Sequence, residues 1–473
     1  MTFKNAAVPS IDAIIIGAGP SGISMAHSLK HTLGFNNFTI YEKLDGPGGT
    51  WRTNTYPGCG CDVPTHLYSF SFNLNPEWSK ELCDQEEILQ YYEDMEATVD
   101  KFDLRPHMHF QVACLGATWL ANKGKWEVHL HDLVTDIKYS RETNVFVSAV
   151  GGISEPRDVR FPGMEDFKGA MFHTARWDHS YNHKDKSMLG VPNGTMSDPT
   201  ATSPASKDFA SANDNLVATY MPGKSAEEKR LRVEADAKSY IYRMTPKKYH
   251  DFIVPDFPLG CKRRIFDPNY LEALHSENLS LVPEGIKMID ETGITSESGE
   301  HEDFDVIVLA TGFKVTDFLT PMEIIGSTGV SLADQWKQCR GAQAYWGTYV
   351  HNFPNFGILF GPNTFPAHNS ALFACEVQVS YVTNTLFRPL LSGSASIVEV
   401  KGSAEDFFAN SVQLQLNGSV FSAGCSNWVA DHEEKRYTDR VGEGSGGDEE
   451  EFVRGSWKDT LIVEKREGFA MAV

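Results

Sequence analysis

The chain has 473 residues, 41% hydrophobic and 11% aromatic, enough for a large interior shared between two or three folding units. Its 42 basic and 63 acidic residues leave a formal charge of −21, a field that repels polyanions and argues against nucleic acid or an anionic membrane as a main partner. No apolar run approaches the roughly 18–20 residues of a bilayer crossing, the first residues lack a signal-peptide layout, and eight scattered cysteines predict reduced thiols in a cytoplasmic protein.

The first predicted element is a buried parallel strand, the β-branched run Ile11 to Ile16. Gly17, Gly19 and Gly22 follow in G-x-G-x-x-G spacing, and Pro20 and Ser21 open a helix. Such glycines permit a tight turn, close backbone approach to a pyrophosphate and close packing of helix on strand. The helix N-terminus then turns its unpaired N–H groups toward the phosphates. "FTIYEK" closes a second strand, and Glu42 stands 20 residues beyond Gly22, where an acid reaches the ribose hydroxyls of an adenosine. Strand, turn, helix and acid together predict a dinucleotide-binding unit. The spacing alone does not: Gly442, Gly444 and Gly447 repeat it without a preceding strand and before an acidic run, which reads as a solvated loop.

Next comes "DGPGGTWRTNTYPGCGCDVPTHLYSFSF", a Gly- and aromatic-rich stretch that a plain NAD-binding unit does not need. Its Cys59 and Cys61 have no second ligand pair nearby, so they read as structural and no metal site is expected. Residues 84–102 predict an amphipathic helix. Residues 110–132 predict a β-hairpin turning at Asn122 to Gly124. "VFVSAVGG", from Val145 to Gly152, reads as a strand and turn. Residues 185–215 have the Ser, Thr, Asn, Gly and Pro content of a loop, with no period of two or 3.6 among their few apolar residues. A charged amphipathic helix is predicted over 226–244, and a strand within "DFDVIVLATGF", Asp303 to Phe313.

"GGTW", "YPG" and "CDVP", placed after the dinucleotide motif, resemble the FAD-binding half of class B flavin monooxygenases, especially Baeyer–Villiger monooxygenases. The resemblance is sharpest at "FKGAMFHTARWD", which fits that family's F-x-G-x-x-x-H-x-x-x-W-(P/D) fingerprint at Phe167, Gly169, His173, Trp177 and Asp178. It extends to "PLGCKRRIFDPNYLEAL", to the A-T-G segment after the last strand, and to "NFGILFGPNTFPAHNS". It implies an α/β, two-dinucleotide-binding-domain flavoprotein fold with FAD as cofactor. By resemblance the FAD contacts fall on Gly17, Gly19, Pro20, Ser21, Gly22, Glu42, Lys43, Gly49, Thr50, Trp51, Tyr56, Cys61, Asp62, Val112, Ala149, Gly151, Gly312, Asn363 and Asn369. Arg263 matches the fixed cation beside the flavin, where negative charge develops on oxygen, and Asp62 matches the carboxylate that orients it. The alternative for Lys262 to Arg264 is a solvated basic cluster. His173 is implied to link domains and couple them rather than to take part in the chemical step; its alternative is a core histidine held by backbone groups.

In this family the fingerprint leads into a second Rossmann unit that binds NADPH. Here Asp178 to Ala226 carries no G-x-G-x-x-G and no buried-strand run, and leaves no room for a βαβ unit of about 30 residues with its connections. The expectation is a reduced second domain without an integral NADPH site. The implied layout is an FAD-binding domain over 8–160 and 301–430, a remnant second domain over 161–300 with 185–225 flexible, and a divergent tail over 431–473. Three functions remain open: an FAD-dependent oxidoreductase acting on a small apolar, carbonyl- or phenol-bearing, natural-product-like molecule, with reductant from the substrate or an external partner; a redox-neutral cyclase or isomerase keeping FAD as a structural element; and a flavin-binding non-enzyme. The retained Asp62 and Arg263 weigh against the third, and the first ranks narrowly over the second.

Overall fold

The computed structural model describes residues 11–93, 98–192, 219–262, 267, 269–339, 341–366 and 370–423, and the short strands at 430–431, 436–437 and 461–464. In chain order, β1 (Ala13–Ile16) leads into α1 (Pro20–His27) and β2 (Phe38–Tyr41). Helix α2 (Gln85–Glu93) is followed by β3 (Met108–His109), β4 (Val112–Leu120), β5 (Lys125–Asp132), β6 (Ile137–Thr143) and β7 (Val145–Ser148). Then come β8 (Ala170–His173), β9 (Met188–Pro192) and α3 (Lys224–Met244). The strands β10 (Ile286–Ile289), β11 (Gly293–Ser296), β12 (His301–Asp303), β13 (Val306–Ala310) and β14 (Glu323–Ile325) precede α4 (Leu332–Gln338). Strand β15 (Phe356–Ile358), α5 (Ala371–Val382), β16 (Ile397–Val400) and α6 (Gly402–Leu416) complete the described body.

The main sheet is parallel, in the order β15–β7–β1–β2–β3. Strand β1 is apolar throughout because both of its faces are covered. Ala13 and Ile15 join the cluster that includes Ile23 and Met25 of α1 and Val379 and Val382 of α5, while Ile14 and Ile16 join the cluster containing Trp119, Trp126 and Val128 of the β4–β5 hairpin. The hairpin turns where the sequence predicts, with Gly124 at φ 64°, and a sheet β14–β4–β5–β6 is built on it. Fully buried Trp126 ties it to the main body by donating Nε1–H to the Pro354 carbonyl at 2.8 Å.

A second parallel sheet has the order β8–β13–β9. This corrects the sequence reading at two places. Met188–Pro192 is a strand, not loop, because five consecutive residues pair with Val306–Ala310 although Gly190 and Pro192 dilute the apolar signal. Strand β13, which the sequence assigns to the FAD-binding part, pairs with the fingerprint strand β8; an apolar run predicts burial but not which sheet will bury it. The remainder of the loop-like segment, 193–218, lies outside the described residues, as do the acidic insertion 442–451 and its second glycine repeat. The chain crosses between the two sheets twice, at 155–157 and 312–314, and the crossings are bonded to each other: Lys314 N–H donates to Glu155 O at 2.8 Å and Arg157 N–H to Gly312 O at 2.9 Å, flanking a Pro156–Phe313 bridge.

Cys59, Cys61, Cys83, Cys114, Cys339 and Cys375 are free, but Cys261 is disulfide-bonded, against the reduced-thiol expectation; pairing depends on Cα approach that only the fold sets. Among the described residues no helix is long and apolar enough to cross a membrane, and no group of His, Cys, Asp or Glu is arranged to hold a metal ion.

One buried charge fixes α6. The Glu405 carboxylate is fully buried and accepts from the His351 backbone N–H at 2.7 Å, from His351 Nδ1 at 2.8 Å and from Gln343 Nε2 at 3.2 Å. The hydrogen bond to Glu405, opposed by burial, raises the His351 pKa above its ordinary 6.5. A raised folded-state pKa means stabilisation that is complete below pH 6.5 and lost as pH climbs through the folded value. The melting temperature of the native protein is therefore expected to exceed that of His351→Phe by more at pH 6 than at pH 9. An unchanged gap would show that the imidazole binds Glu405 only as a neutral donor.

Candidate cofactor and active site

In the main sheet the strand order reverses between β1 and β7, and their C-terminal ends define a crevice. Gly17 follows β1 at φ 106°, and a Cβ added there would meet the Ala149 carbonyl oxygen at 2.5 Å. On α1, a Cβ at Gly22 would fall within the contact radius of the Gly17 carbonyl oxygen. A Cβ at Gly49, at φ 55°, would reach the Gly19 Cα at 2.9 Å. Three loops thus meet backbone against backbone, a glycine cradle beside the N-terminus of α1, the helix end that favours an anion such as a pyrophosphate. Gly19 caps α1 with Pro20 at its first position, and Ser21 Oγ lies 3.0 Å from Cys375 Sγ, joining α1 to α5.

Glu42 directly follows the second strand and is 6% exposed. Its carboxylate accepts from the Ala18 N–H at 2.7 Å and the Leu44 N–H at 2.9 Å, which holds the acid beside the glycine turn. The Val112 N–H donates to the Glu42 carbonyl at 2.9 Å, placing the start of β4 in the same wall. Lys43 instead pairs with Glu155 at the crossing between the sheets. Thr50 and Trp51 lie on a helical turn after Gly49, and Trp51 Nε1–H donates to the Tyr68 hydroxyl at 3.0 Å. Burial, reinforced by Cys59 and the negative charge of Asp62, pushes the Tyr56 pKa above its ordinary value, so Tyr56 is a neutral phenol near Asp62. Cys61 is buried and its N–H donates to the Cys83 carbonyl at 3.0 Å. Gly151 and Gly312 take left-handed conformations at φ 70° and 78°, and Asn363 does so at φ 64°. Arg263 and Asn369 lie outside the described residues.

The fingerprint builds the edge of the second sheet. A Cβ at Gly169 would strike the Asp305 carbonyl oxygen and the Phe167 ring, both at 2.5 Å, so glycine lets β8 lie against the chain entering β13. His173 pairs in register with Leu309, its Nδ1 accepts from the Ala175 N–H at 3.0 Å, and its ring meets Phe313 edge-on at 6.0 Å. Burial lowers its pKa, partly offset by the Gly312 backbone, so the imidazole is neutral at physiological pH. Trp177 packs edge-on against Phe172 at 5.0 Å, and Asp178 accepts from the Ser180 N–H and hydroxyl in the turn that follows. The fingerprint histidine therefore sits against the A-T-G segment. Sequence reasoning missed Ser148 and Thr311, whose buried hydroxyls find no partner among the described residues, at the ends of β7 and β13. Nothing in their local sequence signals that position.

A family model described as an NAD(P)-binding Rossmann-like domain matches residues 15–85. A Baeyer–Villiger monooxygenase of Pseudomonas aeruginosa is 32% identical over 461 residues, covering 88% of this chain and 84% of the relative. The chain belongs to the Baeyer–Villiger monooxygenase family. An FAD-binding monooxygenase of Aspergillus niger is 30% identical over 472 residues, covering 88% of this chain and 76% of its own length. Among solved structures, cyclohexanone monooxygenase from Rhodococcus bound to NADP+ superposes with a TM-score of 0.81 at 24% identity, over 96% of this chain and 99% of that one. The OTEMO complex with FAD and NADP gives 0.80 at 22%, over 97% and 100%. Like its relatives, this Baeyer–Villiger family member is a flavoprotein monooxygenase with FAD as cofactor, and its bare glycine cradle and buried Glu42 fit the pyrophosphate and ribose of that group. The redox-neutral alternative gains no support from these matches.

Proposed function

We propose that the protein inserts oxygen into a small, largely apolar carbonyl- or phenol-bearing molecule, and that it lacks a complete NADPH site of its own. The reading is carried by the segment after β9, "NGTMSDPTATSPASKDFASANDN", which offers neither a second glycine-rich turn nor an apolar helix face where the fold would place a nucleotide-binding βαβ unit. FAD, once bound and reduced, supplies the centre that activates O2. The overall balance would be one oxygen atom to the substrate and the other to water, with two electrons and two protons from outside.

The chain's own residues do the rest. Gly17, Gly19 and Gly22 hold the pyrophosphate against α1, and Glu42 receives the ribose. By the family resemblance, Arg263, which lies outside the described residues, would supply a permanent cation where negative charge gathers on oxygen, with Asp62 as its proposed partner. Tyr56, kept a neutral phenol by burial, can donate a hydrogen bond in the same neighbourhood but cannot act as a base at neutral pH.

The test has two stages. FAD-loaded protein mixed anaerobically with excess NADPH is expected to keep its yellow absorbance. Rapid bleaching would restore a built-in hydride site and sink that half of the proposal. The same protein reduced chemically, then given O2 and a panel of cyclic and aryl ketones, is expected to form the corresponding lactones or esters. Release of unchanged ketone throughout the panel would remove the oxygenation half.

A further inference from the structure

Strand β15 ends at Ile358, at the same C-terminal end of the main sheet as the glycine cradle, since Ile358 and Ile16 both register with Ser148. The Leu359 N–H makes the last sheet bond, to Ser148 O at 2.8 Å. The chain then turns out of the sheet at Phe360, whose φ is 60°, and Asn363 adopts φ 64° three residues on. A bulky residue in the left-handed region is strained and persists only where its surroundings dictate it. One side of this loop is fixed by a glycine contact: a Cβ at Gly347 would collide with Thr364 and with the Pro362 carbonyl oxygen.

On the other side the loop meets helix α5. Gln378, on α5 and only 4% exposed, accepts the Phe360 N–H on its Oε1 at 2.6 Å. That donor has left the sheet, so Gln378 replaces the ladder partner that the strained, half-buried turn no longer offers. The Gln378 Nε2 group is buried with no partner among the described residues, so this amide is committed to the loop at some desolvation cost. A glutamine kept at such a position for packing alone would be replaced by an apolar residue without loss.

We propose that Gln378 is a positioning residue for the cofactor: it locks Phe360 in the left-handed conformation and so presents the loop 360–366, with Asn363, to FAD. The inference rests on the FAD-binding reading and on no assumption about substrate or NADPH.

The test is a double-mutant cycle read by FAD dissociation constant, with the flavin absorption band shape and the melting temperature of the apoprotein alongside. Gln378→Met, which keeps the reach but offers no acceptor, is expected to weaken FAD binding about tenfold, the usual effect of one buried hydrogen bond to the backbone. Phe360→Gly removes the conformational strain, so in that background Gln378→Met is expected to change FAD affinity less than threefold. Equal losses in both backgrounds would overturn the proposal, because Gln378 would then be acting elsewhere. So would native affinity in Gln378→Met. Gln378→Glu retains an acceptor for the Phe360 N–H and is expected to bind FAD within threefold of the native protein; a loss as large as that in Gln378→Met would also overturn the proposal. Failure of the native protein to bind FAD would instead remove the reading on which it rests.

Discussion

Gly22→Ala is expected to abolish FAD binding at micromolar cofactor and to lower stability by about 3 kcal/mol, the upper end for an overpacked site. The new methyl group would enter the Gly17 carbonyl oxygen, a backbone atom on the same turn that cannot swing aside as a side chain can. Helix α1 would have to lift from β1. That shift breaks its packing through Ile23 and Met25, both fully buried, and withdraws its N-terminus from the pyrophosphate position. Gly190→Ala is the matched control, because a Cβ there meets nothing within 4 Å. It should stay within about 0.5 kcal/mol of the native protein and bind FAD normally. Fluorescence titration with FAD and thermal melting of the apoproteins separate the two; equal behaviour would mean that the glycine turn is not the cofactor's seat.

Asp62→Ala is expected to leave FAD bound but to reduce oxygenation by about 10²–10³-fold, the scale on which a pre-placed electrostatic group acts on developing charge. Asp62 is close enough for its charge to disfavour ionisation of both Tyr56 and Tyr68. Removing it is therefore expected to lower the pKa of each phenol as well as to free the cation that it is proposed to orient. The assay starts from chemically reduced enzyme, so that a change in the reductive step cannot be mistaken for a change in oxygen insertion. Full product formation by Asp62→Ala would exclude Asp62 from the chemistry.

What was legible in the sequence was whatever a local pattern fixes. Strand β1, its glycine turn, α1 and Glu42 stand where spacing and periodicity place them, because each is dictated by residues within about thirty positions of one another. The hairpin at Gly124 and the helix α3 followed for the same reason. Long-range features were illegible. Val306–Ala310 reads as a buried strand in any sheet, and only the pairing with β8 and β9 decides which one. The Gln378 bond spans 18 residues and the His351–Glu405 pair 54, and neither glutamine nor glutamate in a helix announces such a partner. The bond at Cys261 belongs to the same class.

The paired crossings at 155–157 and 312–314 have a mechanical consequence. Two independent linkers would let one unit swivel freely over the other, but two segments bonded edge to edge act as a ribbon: compliant to flexing across its flat face, stiff to bending within its plane. Sideways displacement of one sheet past the other, in the plane of the ribbon, is thereby resisted. Because Gly312 is itself one of the bonded residues, any such flexing is transmitted straight to the A-T-G segment instead of being dissipated in slack chain.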